Sequence, residues 1–567
     1  MATRRRNASS SDKSKTIVWG SLTSVLWSVF RQNSDDEHHL HFSKLRAACN
    51  ALDLFPSTSQ VHEMLMCAIE YGSPCKPDHI TFGEFCVLVS ELRSYYNINP
   101  KAPVPHSLIK VRSELSLHKK KRRDKIHLFK LLPKIHEMSI RIVFLGGSCN
   151  PTRWRSEIAI PYFKDHGITF YNPQVQHWKP ELMELEAQAK QTADVLFFVI
   201  DSKTRAISSM IEVAYLVATQ RQVVVIMCEY KDTNIVIDGE KLSDSEMLDL
   251  VKGRLILTDL VERNSVPIFA DIHKALKCTQ KILSNRMQVQ NLKLTDGAQP
   301  VRHGHLKLGR ALLELREAFN SVDSSDLGYL TSKDVCLAYK SCTGEDLDTK
   351  WLKQRRKVQD EFVYEEFCAI VTEHRQQAET PGYFQRFFTH ILQPFRWLVS
   401  KFSPPEAQVE EYEDEEIRDV YLGGSSGEIQ WRNNIVIPSL RKHGLSFVDP
   451  AVHDWDQKLI PIHVALRENC RLLFYVISSD RRSLGSMCEA GYYIGKGCRM
   501  VLCIQNIPKE AVIDSDKLSE QSIKDYNRGR EYLSDLANRE GVPLFENIEE
   551  ASSSVIAILT EQPSPCS

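Results

Sequence analysis

The chain has 567 residues, enough for about three or four domains, and its 42% apolar and 26% charged content is that of a globular protein. A formal net charge of −1 argues against general affinity for nucleic acid or anionic membranes. No apolar run reaches the roughly 18 residues of a membrane span, MATRRRNASSSDKSK lacks a secretory apolar core, and the 15 cysteines include no CxxC pair; a cytoplasmic location with reduced thiols is expected, with the nucleus the alternative.

In chain order, the first predicted domain spans 16–100. LWSVFRQNSDDEHHLHFSKL supplies an incoming helix and loop, and HITFGEF (His79–Phe85) has the apolar alternation and Glu-Phe of an EF-hand loop entering its exit helix. His38, His39 and His41 read as exposed loop residues, with metal ligation the alternative; KKKRRDK (Lys119–Lys125) reads as a solvated linker, with nuclear import or phosphate binding the alternative. Over 138–287, the runs RIVFLGG, ITFYNP, VLFFVI, QVVVIM and VPIFAD alternate with helices near Arg153–Asp165, Pro180–Thr192, Ser208–Thr219 and Ser243–Glu262. Continuous apolar strands between amphipathic helices predict an α/β fold with a doubly wound five-stranded parallel sheet, Rossmann/flavodoxin-like, whose ligands sit at the strands' carboxyl ends.

Gln288–His305 reads as a linker, followed at 306–375 by a second EF-hand-like pair carrying LREAFNSVDSSDLGYLTSKDV and EFVYEEF (Glu361–Phe367). The aromatic, basic stretch Gly382–Phe402 reads as a docking segment, with membrane-surface binding the alternative, and the acidic Glu406–Glu416 as a linker. A second α/β domain occupies 417–562. It repeats the first: VFLGGSCNPTRWR from Val143 aligns with VYLGGSSGEIQWR from Val420 at an offset of 277, which still holds at Arg205/Arg482 and Glu212/Glu489. After a single-residue indel the offset is 276 at Asp238/Asp514 and Gly253/Gly529. The chain is a tandem duplication of a helical pair followed by an α/β domain.

A calcium loop needs oxygen ligands at positions 1, 3, 5 and 9, glycine at 6 and a bidentate carboxylate at 12. The best candidate offers Asp323, Ser325, Thr331 and Asp334 around Gly328, but Leu327 fills position 5 and the closing residue is the shorter Asp. The loops ending at Glu84 and Glu366 present Cys75, Pro77, Arg355 and Lys357 where ligands belong, and Lys44 closes the first. No cofactor is expected beyond weak Ca2+ at Asp323.

The strand-loop VYLGGS, the strand ADVLFFVI and the segment SLGSMCEAG resemble the nucleoside 2-deoxyribosyltransferases and the related deoxynucleoside 5-phosphate N-hydrolases, and the tandem arrangement with its GGS-xxxxx-WR pattern is similar to the Raw-type proteins of animals, regarded as regulators. The resemblance implies a carboxylate nucleophile at a helix start, matched by Glu212 and Glu489, a strand tyrosine bonding it, matched by Tyr421, and an acid matched by Asp194. Phe144 replaces that tyrosine in the first copy, Arg471 replaces the aspartate in the second, and a further family aspartate is Ala206 or Ser483; neither copy has the full set. Gly146, Gly147, Ser148 and Gly423, Gly424, Ser425 are candidate ligand cradles, and Arg205 and Arg482 candidate phosphate partners. Trp154 and Trp431 read as packing residues. The expected function is a non-catalytic scaffold or signalling regulator with protein partners and a retained site for a nucleotide-like small molecule, its two α/β domains packed as a pseudo-dimer. An N-glycosidase or deoxyribosyltransferase acting on deoxynucleotides, and a calcium-binding regulator, stay open.

Overall fold

The computed structural model describes residues 18–98, 141–301, 309–377 and 417–560, apart from 35–38, 73–77, 175–180, 231–234, 238, 324–326, 356–359, 426–429, 453–454, 456 and 458. Ser325, Lys119–Lys125, Gly382–Phe402 and Glu406–Glu416 lie outside the described residues. No helix among the described residues is long and apolar enough to cross a membrane. The chain divides into two compact units, one helical and one α/β.

In the α/β unit, strands Ile142–Gly147, Thr169–Tyr171, Val195–Ile200, Val223–Met227 and Ile268–Phe269 form one parallel sheet. Strands Arg418–Gly424, Phe447–Val448, Cys470–Ile477, Met500–Ile504 and Leu544–Phe545 form a second. Each has the order 2-1-3-4-5, the flavodoxin-type arrangement expected of a doubly wound sheet. The central strands are buried along most of their length, Val195–Ile200 without exception, which is why their sequences are unbroken apolar runs rather than alternating ones.

The helices Ile207–Ala218 and Leu484–Lys496, which follow the third strand of each copy, pack on one another across a pseudo-twofold seam, flanked by Asp244–Glu262 and Glu520–Glu540. Small residues let the backbones approach. A Cβ on Gly253 would lie 2.5 Å from Leu484, and one on the equivalent Gly529 would lie 2.5 Å from Ile207, the residue equivalent to Leu484. Residues of both copies share one apolar core through this seam, so the expected pseudo-dimer is present within one chain.

Local geometry departs from expectation in two places. The helix expected over Arg153–Asp165 opens as a π-helix, Arg155–Ala159, before turning α-helical at Ile160–Asp165, and the second copy does the same at Arg432–Val436. The segment taken for a linker after Gln288 is instead packed: Val289, Leu292, Ala298 and Val301 are buried, because its apolar residues close over the α/β unit's core rather than spanning a gap.

The helical unit contains two pairs of helix–loop–helix elements. In the first pair, strands His39–His41 and His79–Thr81 join the loops antiparallel, and in the second Tyr329–Leu330 joins Phe362–Val363. The residues that meet, Leu40 with Ile80 and Leu330 with Phe362, point inward and are buried in a core shared by both pairs. The pairs also cap each other. Glu91 accepts hydrogen bonds from the N–H groups of Gly309 and Ala311 at the start of helix Arg310–Val322. Glu373 does the same for Thr23 at the start of helix Ser21–Asn33, at 2.7 Å from its N–H and 2.8 Å from its hydroxyl. A carboxylate at a helix N-terminus satisfies orphan donors and meets the positive end of the helix dipole.

Candidate functional site

The strand-to-helix turns carrying Gly146-Gly147-Ser148 and Gly423-Gly424-Ser425 owe their glycines to close packing. Gly147 and Gly424 have φ of 102° and 107°, and a Cβ on either would meet the carbonyl oxygen of Val199 or Val476 at 2.2 and 2.1 Å. The serine N–H groups expected to face a ligand are already occupied. The Ser148 N–H donates to Val199 O and the Ser425 N–H to Val476 O, each at 2.8 Å, while the hydroxyls accept from the N–H groups of Asp201 and Ser478.

The WR pair holds the same turns from behind. Arg155 donates to the carbonyls of Leu145, Ser148 and Gly147 at 3.1, 2.6 and 3.0 Å, and Arg432 donates to those of Leu422, Ser425 and Gly424 at 3.1, 2.9 and 3.2 Å. The Trp154 and Trp431 indoles donate to Ser148 O and Ser425 O. Both tryptophans are thus bracing groups, buried and under their own arginine.

Arg205 and Arg482 do not face these turns. Both are buried among carboxylates and hydroxyls at the seam. Arg205 meets Glu246 at 2.7 Å, Asp525 at 3.3 Å and Glu240 at 3.4 Å, and Arg482 meets Ser245, Asp514 and Asp516 at 2.9, 3.4 and 3.5 Å. Asp525 belongs to the second copy and Ser245 to the first, so each arginine ties its copy to the other. A phosphate at either arginine would have to displace these partners.

Asp194 lies away from the turns that carry the glycine pairs. It precedes strand Val195–Ile200 and accepts the Ile142 N–H at 2.9 Å, at the amino ends of both strands. Ligands of such sheets sit at the other end, about 20 Å away for a six-residue strand rising about 3.3 Å per residue. The second copy makes the equivalent clamp with Arg471 and Asp419 at 2.7 Å.

Glu212 and Glu489 fall in the second turn of their helices, Ile207–Ala218 and Leu484–Lys496, with Ala206 and Ser483 left-handed at the helix starts. The unpaired N–H groups of the first turn therefore do not balance their charge; a buried cation does. Lys190 pairs with Glu212 and also with Glu186 at 2.9 Å. Arg467, at the position equivalent to Lys190, pairs with Glu489. Tyr475 donates to the other oxygen of Glu489 at 3.3 Å. Tyr421, expected to bond the carboxylate, lies instead beside Arg467, whose guanidinium is 5.1 Å from its ring centre.

Burial pushes the Glu212 carboxyl above its ordinary range, opposed by the Lys190 charge and by the nearby Tyr532 hydroxyl. Lys190 is itself held above its ordinary value by Glu212 and Glu186, against the burial that would lower it. Tyr532 comes from the second copy. The Glu489 site conversely receives Lys252 from the first: its ammonium lies 4.7 Å from the Trp455 ring centre and feels Glu489 and Asp249. Burial, with Arg467 and Lys252, drives His463 down to about 3, so its imidazole is neutral at physiological pH.

The cations were the residues sequence reasoning passed over. A basic side chain recurs at the 277 offset at Lys190 and Arg467, and that recurrence was the available signal.

The proposed calcium ligands make local bonds. Asp323 accepts the N–H groups of Leu327 and Gly328 at 2.9 and 2.8 Å, and Asp334 accepts from the N–H and hydroxyl of Thr331 at 3.2 and 2.6 Å, forming a capping box. The closing residues Glu84 and Glu366 likewise accept the N–H groups of Thr81 and Val363. Among the described residues, no cluster of three metal-ligating side chains occurs.

The family described as nucleoside 2-deoxyribosyltransferase like matches the chain twice, over residues 141–230 and 417–507. No curated protein and no solved structure matches it. Both matches end before the seam helices Asp244–Glu262 and Glu520–Glu540, which supply Lys252 and Tyr532. Each half of the chain therefore carries one nucleoside 2-deoxyribosyltransferase-like domain.

Proposed function

We propose that the protein is a non-catalytic regulator: a pseudo-transferase body that presents surfaces to protein partners and keeps a nucleotide-like binding site in its second copy. The observation carrying this reading is that the carboxylate matched to the family nucleophile is closed in a buried ion pair in both copies. A nucleophilic carboxylate must offer a lone pair to the sugar carbon. In the second copy one oxygen is held by Arg467 and the other by Tyr475, and of the aspartate positions of the family pattern only Asp194 is kept, the others being Ala206, Ser483 and Arg471. Losing positioned acid and orienting groups lowers a rate by about 10²–10⁴-fold each. The likeness to the Raw-type regulators and the paired EF-hand-like helical unit, read here as a docking and structural module, support the same conclusion.

The enzyme alternative draws support from one feature: a group of the neighbouring copy, Tyr532 or Lys252, stands near each glutamate. Incubating the full chain with deoxynucleosides and deoxynucleoside monophosphates and measuring free base by chromatography separates the two. No base above the enzyme-free blank is expected; release abolished by Glu489→Gln establishes the enzyme reading instead.

A further inference from the structure

We propose that His39, His41 and His79 form a zinc site on the short sheet that joins the first pair of loops in the helical unit. Three imidazoles hold the cation, and its fourth position is left to water.

Strand pairing puts the three on one face. His41 stands opposite His79 and His39 opposite Thr81, with Leu40 opposite Ile80 between them. Side chains alternate along a strand, and Leu40 and Ile80 are buried in the core. The histidines therefore share the outer face, each half-buried. The ring centres of His41 and His79 lie 5.0 Å apart and those of His39 and His79 6.2 Å. On a tetrahedral zinc with Zn–N of about 2.0–2.1 Å, two imidazole centres lie roughly 5 Å apart. One pair is thus at ligand spacing already, and the other is about 1 Å wide of it. The rings meet edge to face and do not converge on one point as they lie. The site is completed when the metal arrives, by rotation about the side-chain bonds of half-buried rings. His38 lies outside the described residues.

The donor set favours zinc over calcium. His41 Nδ1 lies 2.7 Å from the Ser43 hydroxyl oxygen and 3.3 Å from the Ser43 nitrogen. With a metal on Nε2, Nδ1 carries the proton and donates it to that hydroxyl, as metal-bound histidines commonly do to a neighbouring oxygen. An imidazole has two nitrogens, so ligation by one leaves the other to a hydrogen-bond partner. Lys44 stands where a calcium loop needs its closing carboxylate, and neutral nitrogens suit zinc rather than calcium. With Leu330 opposite Phe362, the corresponding residues of the second pair are Tyr329, Thr331 and Glu361, so one site per chain follows. His39 and His41 lead into helix Phe42–Asn50, and His79 into helix Phe82–Ile98. A bound cation therefore ties together two loops whose calcium positions lack ligands.

The test titrates the full chain, with its thiols kept reduced, with Zn2+ and follows hydrogen exchange. One zinc tighter than about 10⁻⁵ M is expected, indifferent to millimolar Ca2+ and lost as pH falls through about 6.5 and the imidazoles protonate. Zinc should slow exchange in strands His39–His41 and His79–Thr81 and leave Tyr329–Leu330 unchanged. His41→Ala and His79→Ala should each weaken binding at least about tenfold, and His62→Ala, at another half-buried histidine of the same pair, should not. Co2+ in place of zinc should show no thiolate charge-transfer band, which separates this site from any cysteine site. Absence of zinc protection in the two strands, a thiolate band from the protected site, or unchanged affinity in a normally melting His41→Ala/His79→Ala variant overturns the proposal. If that variant melts early, the wild-type exchange and cobalt spectra decide.

Discussion

Replacing Glu373 with alanine should selectively loosen the first helix of the helical unit. Its carboxylate, 1% exposed, receives the Thr23 N–H at 2.7 Å and the Thr23 hydroxyl at 2.8 Å, with the Leu22 N–H at a longer 3.4 Å. Thr23 is itself fully buried, so water cannot replace the lost acceptor without opening the helix. Hydrogen bonds to a charged group are worth about 1.5–3 kcal/mol and an abandoned buried donor costs about 1–3 kcal/mol; with two strong bonds lost, roughly 3 kcal/mol or more is expected. Native-state hydrogen exchange across Ser21–Asn33 reads this directly, because local opening sets the rate. At tenfold per 1.4 kcal/mol, about 100-fold faster exchange follows. Glu91→Ala should do the same to the start of helix Arg310–Val322. Exchange within threefold of wild type in both variants would refute the reciprocal caps.

Gly529→Val places carbon against Ile207, where a Cβ already comes within 2.5 Å, and should cost about 1–3 kcal/mol by overpacking in denaturant melts. Burial raises Glu91 to about 7, with Glu314 also raising it and Arg375 and the two capped N–H groups opposing; burial, Glu84 and Glu366 raise Glu365 to about 7. Because these folded values exceed the ordinary 4.5, the native state binds more protons than the unfolded chain between them. Their contribution is thus full below about pH 4.5 and lost as pH rises through about 7, which melts of the helical unit across that window should show as falling stability. Calcium titration should reveal no site tighter than about 10⁻⁴ M, since position 5 of the best loop is Leu327; a micromolar site lost in Asp323→Ala contradicts this.

The sheets were legible because fully buried parallel strands write themselves as unbroken apolar runs: VLFFVI is the strand Val195–Ile200 residue for residue. The duplication was legible because a constant offset survives divergence. Chemistry was harder to read. Asp194 and Arg205 occupy family-like positions in the chain, but which end of a strand a side chain reaches, and what it meets there, depends on tertiary partners. Arg205 meets Asp525, and Glu212 meets Tyr532, each some three hundred residues further along. Glycine pairs looked like ligand cradles because glycine also serves close strand packing, the role Gly147 and Gly424 perform. The segment after Gln288 looked like a linker because its buried residues are isolated, without helical or strand periodicity.

The central claim is that Glu489 is a buried counter-ion rather than a nucleophile, and the stability of Glu489→Gln tests it most directly. Removing a catalytic group commonly stabilises an enzyme, because active sites hold strained or repelling charges. Removing one partner of a buried ion pair instead leaves the other uncompensated, at a cost of about 3–5 kcal/mol. Arg467 and Glu489 are 3% and 13% exposed, so solvent does little to screen the loss. Denaturant melts of the full chain should therefore show Glu489→Gln destabilised by about that amount, with part of it recovered when Arg467→Met is added. A Glu489→Gln variant as stable as wild type, or more so, would contradict the claim.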